Sequence, residues 1–266
     1  MARAGCPECG GTGWKTVEKD GVPRVAVPCD CTSTDREARE FRRARIPTRY
    51  DHCDFANFET DIQHENESQS ELWNRSLEQA RLLAQRFARD FPLATDHGLL
   101  FMGPAGVGKT HLAVAALKEI LLRGHQGLFY DYRDLLKEIQ SSYNPESQST
   151  EMEVLDPVLT AELFVLDDLG ASKPSAWALE TVGFILNRRY NEKRLTVITT
   201  NYLDQASPDA APLRFPSGQV APRAEETLSD RVGQRIRSRL YEMCRTIEIF
   251  APDFRREFRG ADRFRA

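Results

Sequence analysis

Gly103-Pro104-Ala105-Gly106-Val107-Gly108-Lys109-Thr110 is the stretch on which the fold of this chain turns. It satisfies GxxxxGK followed by Ser or Thr. An apolar run from Leu99 to Met102 precedes it and an amphipathic segment from Lys109 follows, so the loop joins a strand to a helix. The glycines let backbone amides turn inward around the phosphates of a nucleotide, and the helix N-terminus adds partial positive charge. Lys109 neutralises the phosphates and Thr110 offers a hydroxyl to Mg²⁺. The next residue, His111, is counted with the loop as nucleotide-contacting. ATP and Mg²⁺ are the expected ligands.

About fifty residues on, Leu163-Phe164-Val165-Leu166-Asp167-Asp168 reads as a buried strand ending in two acids. A carboxylate at the end of a neighbouring strand lies beside the phosphate loop in such an architecture. Asp167 is therefore expected to hold Mg²⁺, and Asp168 to orient or deprotonate the attacking water. Further strands are expected at 128–130 and 195–199, with helices at 109–123, 132–143 and 175–192 between them. This alternation predicts an α/β fold, a parallel sheet flanked by helices. The fourth strand runs into Thr199-Thr200-Asn201, placing an amide where it could position the water. A helix from about Ser229 to Met243 carries Arg231, Arg235, Arg237 and Arg239. The spacing puts Arg231, Arg235 and Arg239 on one face, either solvated or offered to a neighbour's site. A strand at 246–250 and a basic tail close the chain.

The composition is that of a soluble globular protein: 266 residues, 41% hydrophobic and 29% charged. No apolar run approaches the ~20 residues needed to span a bilayer, so no membrane association and a cytoplasmic location are expected. With a formal net charge of −4, bulk attraction to nucleic acid is not expected. Local basic patches, at 34–49 and from Arg223 onward, are the places where such binding could arise, although a solvated helix face gives the same pattern.

Four of the six cysteines fall in the first 31 residues, as Cys6-x-x-Cys9 and Cys29-x-Cys31. Two pairs of closely spaced thiolates can occupy the corners of a tetrahedron around Zn²⁺. Gly10-Gly11-Thr12-Gly13 lets amides turn toward the sulfurs, and the pattern resembles zinc ribbons and knuckles. Residues 1–33 are read as a zinc-binding segment, with disulfides or unrelated thiols as the alternative. Residues 34–69 are read as a basic linker helix, opened by a Thr34-x-x-Glu37 capping box and ending before Pro47, and then an irregular connection anchored by Tyr50, Phe55 and Phe58. Apolar positions from Leu72 to Phe91 predict one amphipathic helix over 70–91. Residues 204–226, with Pro208, Pro212, Pro216 and Pro222, read as a long surface loop. Cys53 and Cys244 read as small buried apolar residues.

From about Ile46 to Arg255 the order of motifs resembles the DnaC and DnaI type of AAA+ ATPase, the bacterial replicative helicase loaders, and their transposon relative IstB. The residues that carry it are Gly103 to Thr110, Leu166-Asp167-Asp168-Leu169-Gly170, Arg189-Tyr190-Asn191, Thr199-Thr200-Asn201, Arg235-Ile236-Arg237-Ser238-Arg239-Leu240 and Asp253-Phe254-Arg255. The resemblance implies an AAA+ P-loop ATPase core over 70–266. It makes Lys109 and Thr110 part of Walker A, Asp167 and Asp168 Walker B, Asn201 sensor 1, Arg235 the arginine finger and Arg255 the sensor 2 arginine. It also implies contact with single-stranded DNA from the segment after Walker B, here Ser175 and Trp177; an indole stacking on a base contributes ~1–3 kcal/mol. Its further implications are a hexameric replicative helicase as partner, gripped through the zinc-bearing segment, and ATP-dependent self-association. The family usually has Glu where Asp168 stands, so slow hydrolysis is expected. Two alternatives stand beside the loader: an IstB-like helper of a transposase, and a zinc-dependent adaptor that holds ATP without turnover.

Overall fold

The computed structural model describes residues 5–19, 22–92, 97–144, 150–204, 213–214, 220–221 and 226–257, with the backbone alone at 17–19, 22–24, 30–36, 213–214 and 220–221. Five strands form one parallel sheet. These are β3 (Gly98–Met102), β4 (Gly127–Asp131), β5 (Leu163–Asp167), β6 (Leu195–Thr200) and β9 (Cys244–Glu248), in the spatial order β4-β5-β6-β3-β9. β3 and β5 are buried along their whole length, as expected of strands covered on both faces.

Two hydrophobic clusters sandwich the sheet. On one side lie α2 (Glu67–Asp90) and α3 (Lys109–Leu122), with Leu77, Phe87, Leu112, Leu117 and Phe129 among the buried residues. The connection over 46–58 packs into the same cluster through Tyr50, Phe55 and Phe58, all nearly buried, as its apolar anchors predict. On the other side lie α4 (Tyr132–Ser141), α5 (Glu151–Thr160), α6 (Ala176–Asn191) and α7 (Leu228–Met243). α2 begins a turn earlier than 70, because Asn66 caps it by accepting from the Gln69 amide. Leu72, counted on its apolar face, is 64% exposed.

Several elements depart from expectation. α1 (Asp30–Arg43) starts directly after Cys29, so Thr34 and Glu37 lie within it and do not cap it. An antiparallel hairpin of β1 (Trp14–Lys19) and β2 (Val22–Pro28) separates the two cysteine pairs. α5 was hidden by Pro157 within it; Thr150 and Glu153 form a capping box at its start, and each satisfies an orphan amide. In the proline-rich stretch, β7 (Leu213–Arg214) and β8 (Val220–Ala221) pair antiparallel, and the rest of 205–225 lies outside the described residues. No helix among the described residues is long and apolar enough to cross a membrane.

Candidate nucleotide site

The loop after β3 folds as its glycines require. Gly103, Gly106 and Gly108 have φ of 147°, 81° and 92°, which L side chains rarely adopt. Space forbids a side chain as well. A Cβ on Gly106 would lie 1.8 Å from Asp253 Oδ1, and one on Gly108 2.5 Å from the Phe58 ring. The loop is thus clasped by the 46–58 connection and by the segment entering α8 (Phe254–Glu257), whose Phe254 amide donates to the Gly106 carbonyl.

Lys109 opens α3 with its side chain turned back over the loop. It is 6% exposed, and its ammonium donates to Gly103 O at 2.8 Å, Pro104 O at 2.7 Å and Asn201 Oδ1 at 2.7 Å. All three acceptors are neutral. Burial pushes the ammonium down to about 8, opposed chiefly by the Asp168 and Asp167 carboxylates. A buried cation held by neutral oxygens at the N-terminus of a helix fits an anionic phosphate.

The strand-end acids sit beside it. Asp167 Oδ1 accepts from Thr110 Oγ1 at 2.8 Å and from Thr199 Oγ1 at 2.6 Å. Burial raises its pKa, which those two hydroxyls partly offset. A hydroxyl and a carboxylate in contact make a hard-oxygen donor pair suited to Mg²⁺. Asp168 stands at φ 57°, a region in which Asp is far better tolerated than longer or branched residues. Its amide donates to Thr199 Oγ1 at 2.9 Å, and its Oδ1 accepts from Asn201 Nδ2 at 2.6 Å. Burial and then the Asp131 carboxylate raise its pKa. Asn201 thus bridges Lys109 and Asp168, one end of its amide serving each. A cleft of about 580 Å³ is lined by the loop, Asp167, Asp168, Asn201 and Arg255. The sequence reading missed other lining residues, among them Arg49, Phe58 and Asp131. Asp131 caps α4 by accepting from the amides of Arg133 and Asp134; an acid at a strand end was its signal.

Of the other candidates, all but His111 lie outside the cleft. Gly233 interrupts α7 at φ 77°, ψ 156°, so the four-residue spacing of Arg231, Arg235 and Arg239 does not make one straight face. Arg231 pairs with Glu226 at 2.7 Å and covers the Tyr202 ring. Arg237 pairs with Asp204, and Arg239 donates to Asn187. Arg235 is exposed and away from its own cleft. Ser175 caps α6 by accepting from the Ala178 amide at 3.1 Å. Trp177 is half-buried, edge-on to Tyr143. His111 lines the cleft, and its Nε2 meets the Asp54 carbonyl at 2.8 Å.

Cys6, Cys9 and Cys29 converge, buried, with their sulfurs within 4.8 Å of one another. Cys6 Sγ and Cys29 Sγ are 3.8 Å apart, and Zn–S bonds of ~2.3 Å in a tetrahedron require an S···S edge of about 3.8 Å. The Gly13 amide donates to Cys9 Sγ at 3.4 Å, as the glycine-rich turn predicts. The Cys31 side chain, the expected fourth ligand, lies outside the described residues.

A family model described as IstB-like ATP binding protein matches residues 33–206. The chain belongs to this family. Among curated relatives of this IstB-like chain, the replicative helicase loader DnaC of Escherichia coli strain K12 is 28% identical over 163 residues, 61% of each chain. The replicative helicase loader DnaI of Bacillus subtilis strain 168 is 29% identical over 140 residues, 52% of this chain and 42% of its own length. The chain thus spans about three-fifths or less of the length of these relatives. A crystal structure of the DnaC helicase loader is 31% identical with a TM-score of 0.57, covering 77% of this chain and 100% of that one. AMPPCP-bound DnaA from Aquifex aeolicus shares the fold, with a TM-score of 0.51 at 19% identity over 75% of this chain and 50% of its own. The architecture is therefore the AAA+ P-loop ATPase fold, in a family of ATP-binding proteins.

Proposed function

We propose that this chain is an ATP-dependent loader of a replicative hexameric helicase. The observation that carries the ATP-dependent part is the Asn201 bridge: one amide side chain touches both the phosphate-loop lysine and the carboxylate nearest the position of an attacking water. Such a link makes the two ends of the site respond together to the terminal phosphate. Thr110 and Asp167 would hold Mg²⁺, which would supply charge neutralisation to the transferring phosphoryl group. Asp168, its pKa raised by burial, accepts the proton of the attacking water, and Asn201 holds that carboxylate in place. Arg255 faces the phosphates from the cleft wall. Arg235, exposed and outside its own cleft, reaches a neighbouring subunit's site in an ATP-dependent homo-oligomer.

The helicase as partner is supported by the relatives, which are described as replicative helicase loaders. Cys6, Cys9, Cys29 and Cys31 hold Zn²⁺ and present residues 1–45 to that helicase, while Trp177, with Ser175 beside it, contacts single-stranded DNA. Capture of a hexameric helicase by the full chain, lost on deleting residues 1–45, is the expected result; capture of a transposase subunit in its place would replace the loader by a transposition helper. Lys109→Ala is expected to abolish nucleotide binding, and unchanged ATP affinity in that variant would end the reading.

A further inference from the structure

A second group of soft ligands lies at the edge of the nucleotide cleft, and neither the nucleotide-contacting role given to His111 nor the apolar reading of Cys53 accounts for it as a group. His52, Cys53 and His111 bring a ligand atom each to within 4.8 Å of one another. Cys53 is 2% exposed, His52 is at the surface and His111 is half-buried. Reading Cys53 as a small buried apolar residue explains its burial. It does not explain two imidazoles beside its sulfur, drawn from segments almost sixty residues apart.

Three observations go beyond proximity. The Cys53 sulfur and His52 Nε2 are 3.9 Å apart, a few tenths of an ångström above the ~3.6 Å N···S edge that Zn–N and Zn–S bonds of ~2.1 and ~2.3 Å impose on a tetrahedron. The Asp54 carbonyl can only accept, so His111 Nε2, 2.8 Å from it, must donate; in the neutral ring this leaves Nδ1 as the nitrogen that carries a lone pair. A carbonyl that holds one ring nitrogen fixes the tautomer and orientation of an imidazole, the outer support that metal-bound histidines commonly have. The turn that carries the first two ligands is also fixed to α3. The buried Lys118 ammonium donates to Asp51 O at 2.9 Å, Cys53 O at 3.1 Å and Asp54 Oδ1 at 2.8 Å. Both sides of the cluster therefore stand on the same helix, which removes most of the ordering cost of assembling ligands from distant segments.

We propose that His52, Cys53 and His111 form a binding site for a borderline-soft divalent cation of the Zn²⁺ class. One thiolate and two imidazoles are the donor set such an ion prefers over Mg²⁺ or Ca²⁺. A tetrahedron with three protein donors keeps one position for water or for a donor atom of a molecule in the cleft. The ion joins the 51–54 turn to the first turn of α3, immediately after Thr110, so its occupancy bears on the nucleotide site. This site is independent of the cysteine cluster at 6–29 and of the loader reading.

Co²⁺ serves as the probe, because its bands report tetrahedral geometry and its thiolate charge-transfer absorption reports sulfur ligation. The full chain carrying Cys6→Ser and Cys9→Ser is stripped with chelator and titrated. It is expected to bind one equivalent of Co²⁺ with thiolate absorption. Adding Cys53→Ser is expected to remove the thiolate band. Adding His52→Gln, at a surface position where folding is not at risk, is expected to weaken binding at least tenfold. Absence of Co²⁺ binding to the Cys6/Cys9 variant, or binding that neither further substitution changes, overturns the proposal.

Discussion

Lys109 is the residue whose chemistry is most altered by its position. In the nucleotide-free chain, burial lowers its ammonium to about 8; phosphate oxygens placed against it favour the charged form and raise that value. The free form therefore carries fewer protons than the bound form above about pH 8, so binding takes up a proton there. ATP affinity should fall as pH rises from 8 toward 10, and calorimetry in two buffers of different ionisation enthalpy should report uptake at pH 8.5–9.5 that fades below pH 7. A pH-independent affinity over that range would contradict it. Asp168 makes a second case. Asp168→Asn keeps the side-chain volume and removes the carboxylate proposed to accept the proton, so phosphate release should fall by about 10²–10⁴-fold while nucleotide affinity changes little. That the loop, Asp167 and Asp168 would meet in one cleft was legible in the sequence, because glycine spacing and strand-end position fix their backbone context. The Asn201 bridge was not, since it depends on which way one amide points between two partners. The clasp on Gly106 was equally hidden: Asp253, 147 positions along the chain, meets the loop only after β9 has been laid beside β3.

Arg189 shows the same limit for an element. Arg189-Tyr190-Asn191 could be picked out as a motif, with no role attached. In the structure the Arg189 side chain, 0% exposed, leaves α6 and donates to the carbonyls of Val158 and Ala161 at 2.8 and 3.0 Å, to Leu195 O at 2.6 Å and to Thr196 Oγ1 at 3.0 Å. It thereby ties the C-terminal end of α5 to the start of β6. The α5 carbonyls have no intrahelical partners, and a buried guanidinium satisfies several at once. Arg189→Ala removes the donor and leaves the carbonyls buried, so it should destabilise the fold by about 3–5 kcal/mol, in the range for breaking a buried polar network. Urea unfolding checks this; a loss under 1 kcal/mol would mean that water replaces the side chain without cost. The strands were legible because burial on both faces leaves continuous apolar runs. α5 was not, because Pro157 mimics a helix stop, and the β1–β2 hairpin was not, because Lys15, Glu18, Lys19 and Arg24 break the apolar alternation on which a strand is recognised. The kink at Gly233 escaped for a related reason: helical spacing predicts a face only where the backbone stays helical.

That kink bears on how copies of the chain would work together. Arg231, Arg237 and Arg239 are each engaged by groups of their own chain, and Arg235 on the same helix projects outward. If Arg235 completes a neighbour's site, the defect in an Arg235→Ala subunit and the defect in a Lys109→Ala subunit lie in different sites. The first binds nucleotide and donates no arginine; the second donates an arginine and binds no nucleotide. Each alone should show phosphate release reduced at least 10³-fold, the magnitude an arginine finger contributes. Mixed in equal amounts and randomly assembled, they create interfaces at which an intact nucleotide site faces an intact arginine, roughly a quarter of all interfaces in a closed ring. Activity should rise on mixing to a comparable fraction of the unsubstituted protein, and the rise should depend steeply on total concentration because it requires assembly. An arginine acting within its own subunit gives no such recovery, since neither chain then holds both halves of a site. Phosphate release from the mixture, measured across a dilution series, separates the two arrangements. Recovery in the mixture would assign Arg235 to the interface. Failure to recover, with both variants still able to associate, would leave the kinked helix as a structural brace and remove the catalytic reason for oligomerisation.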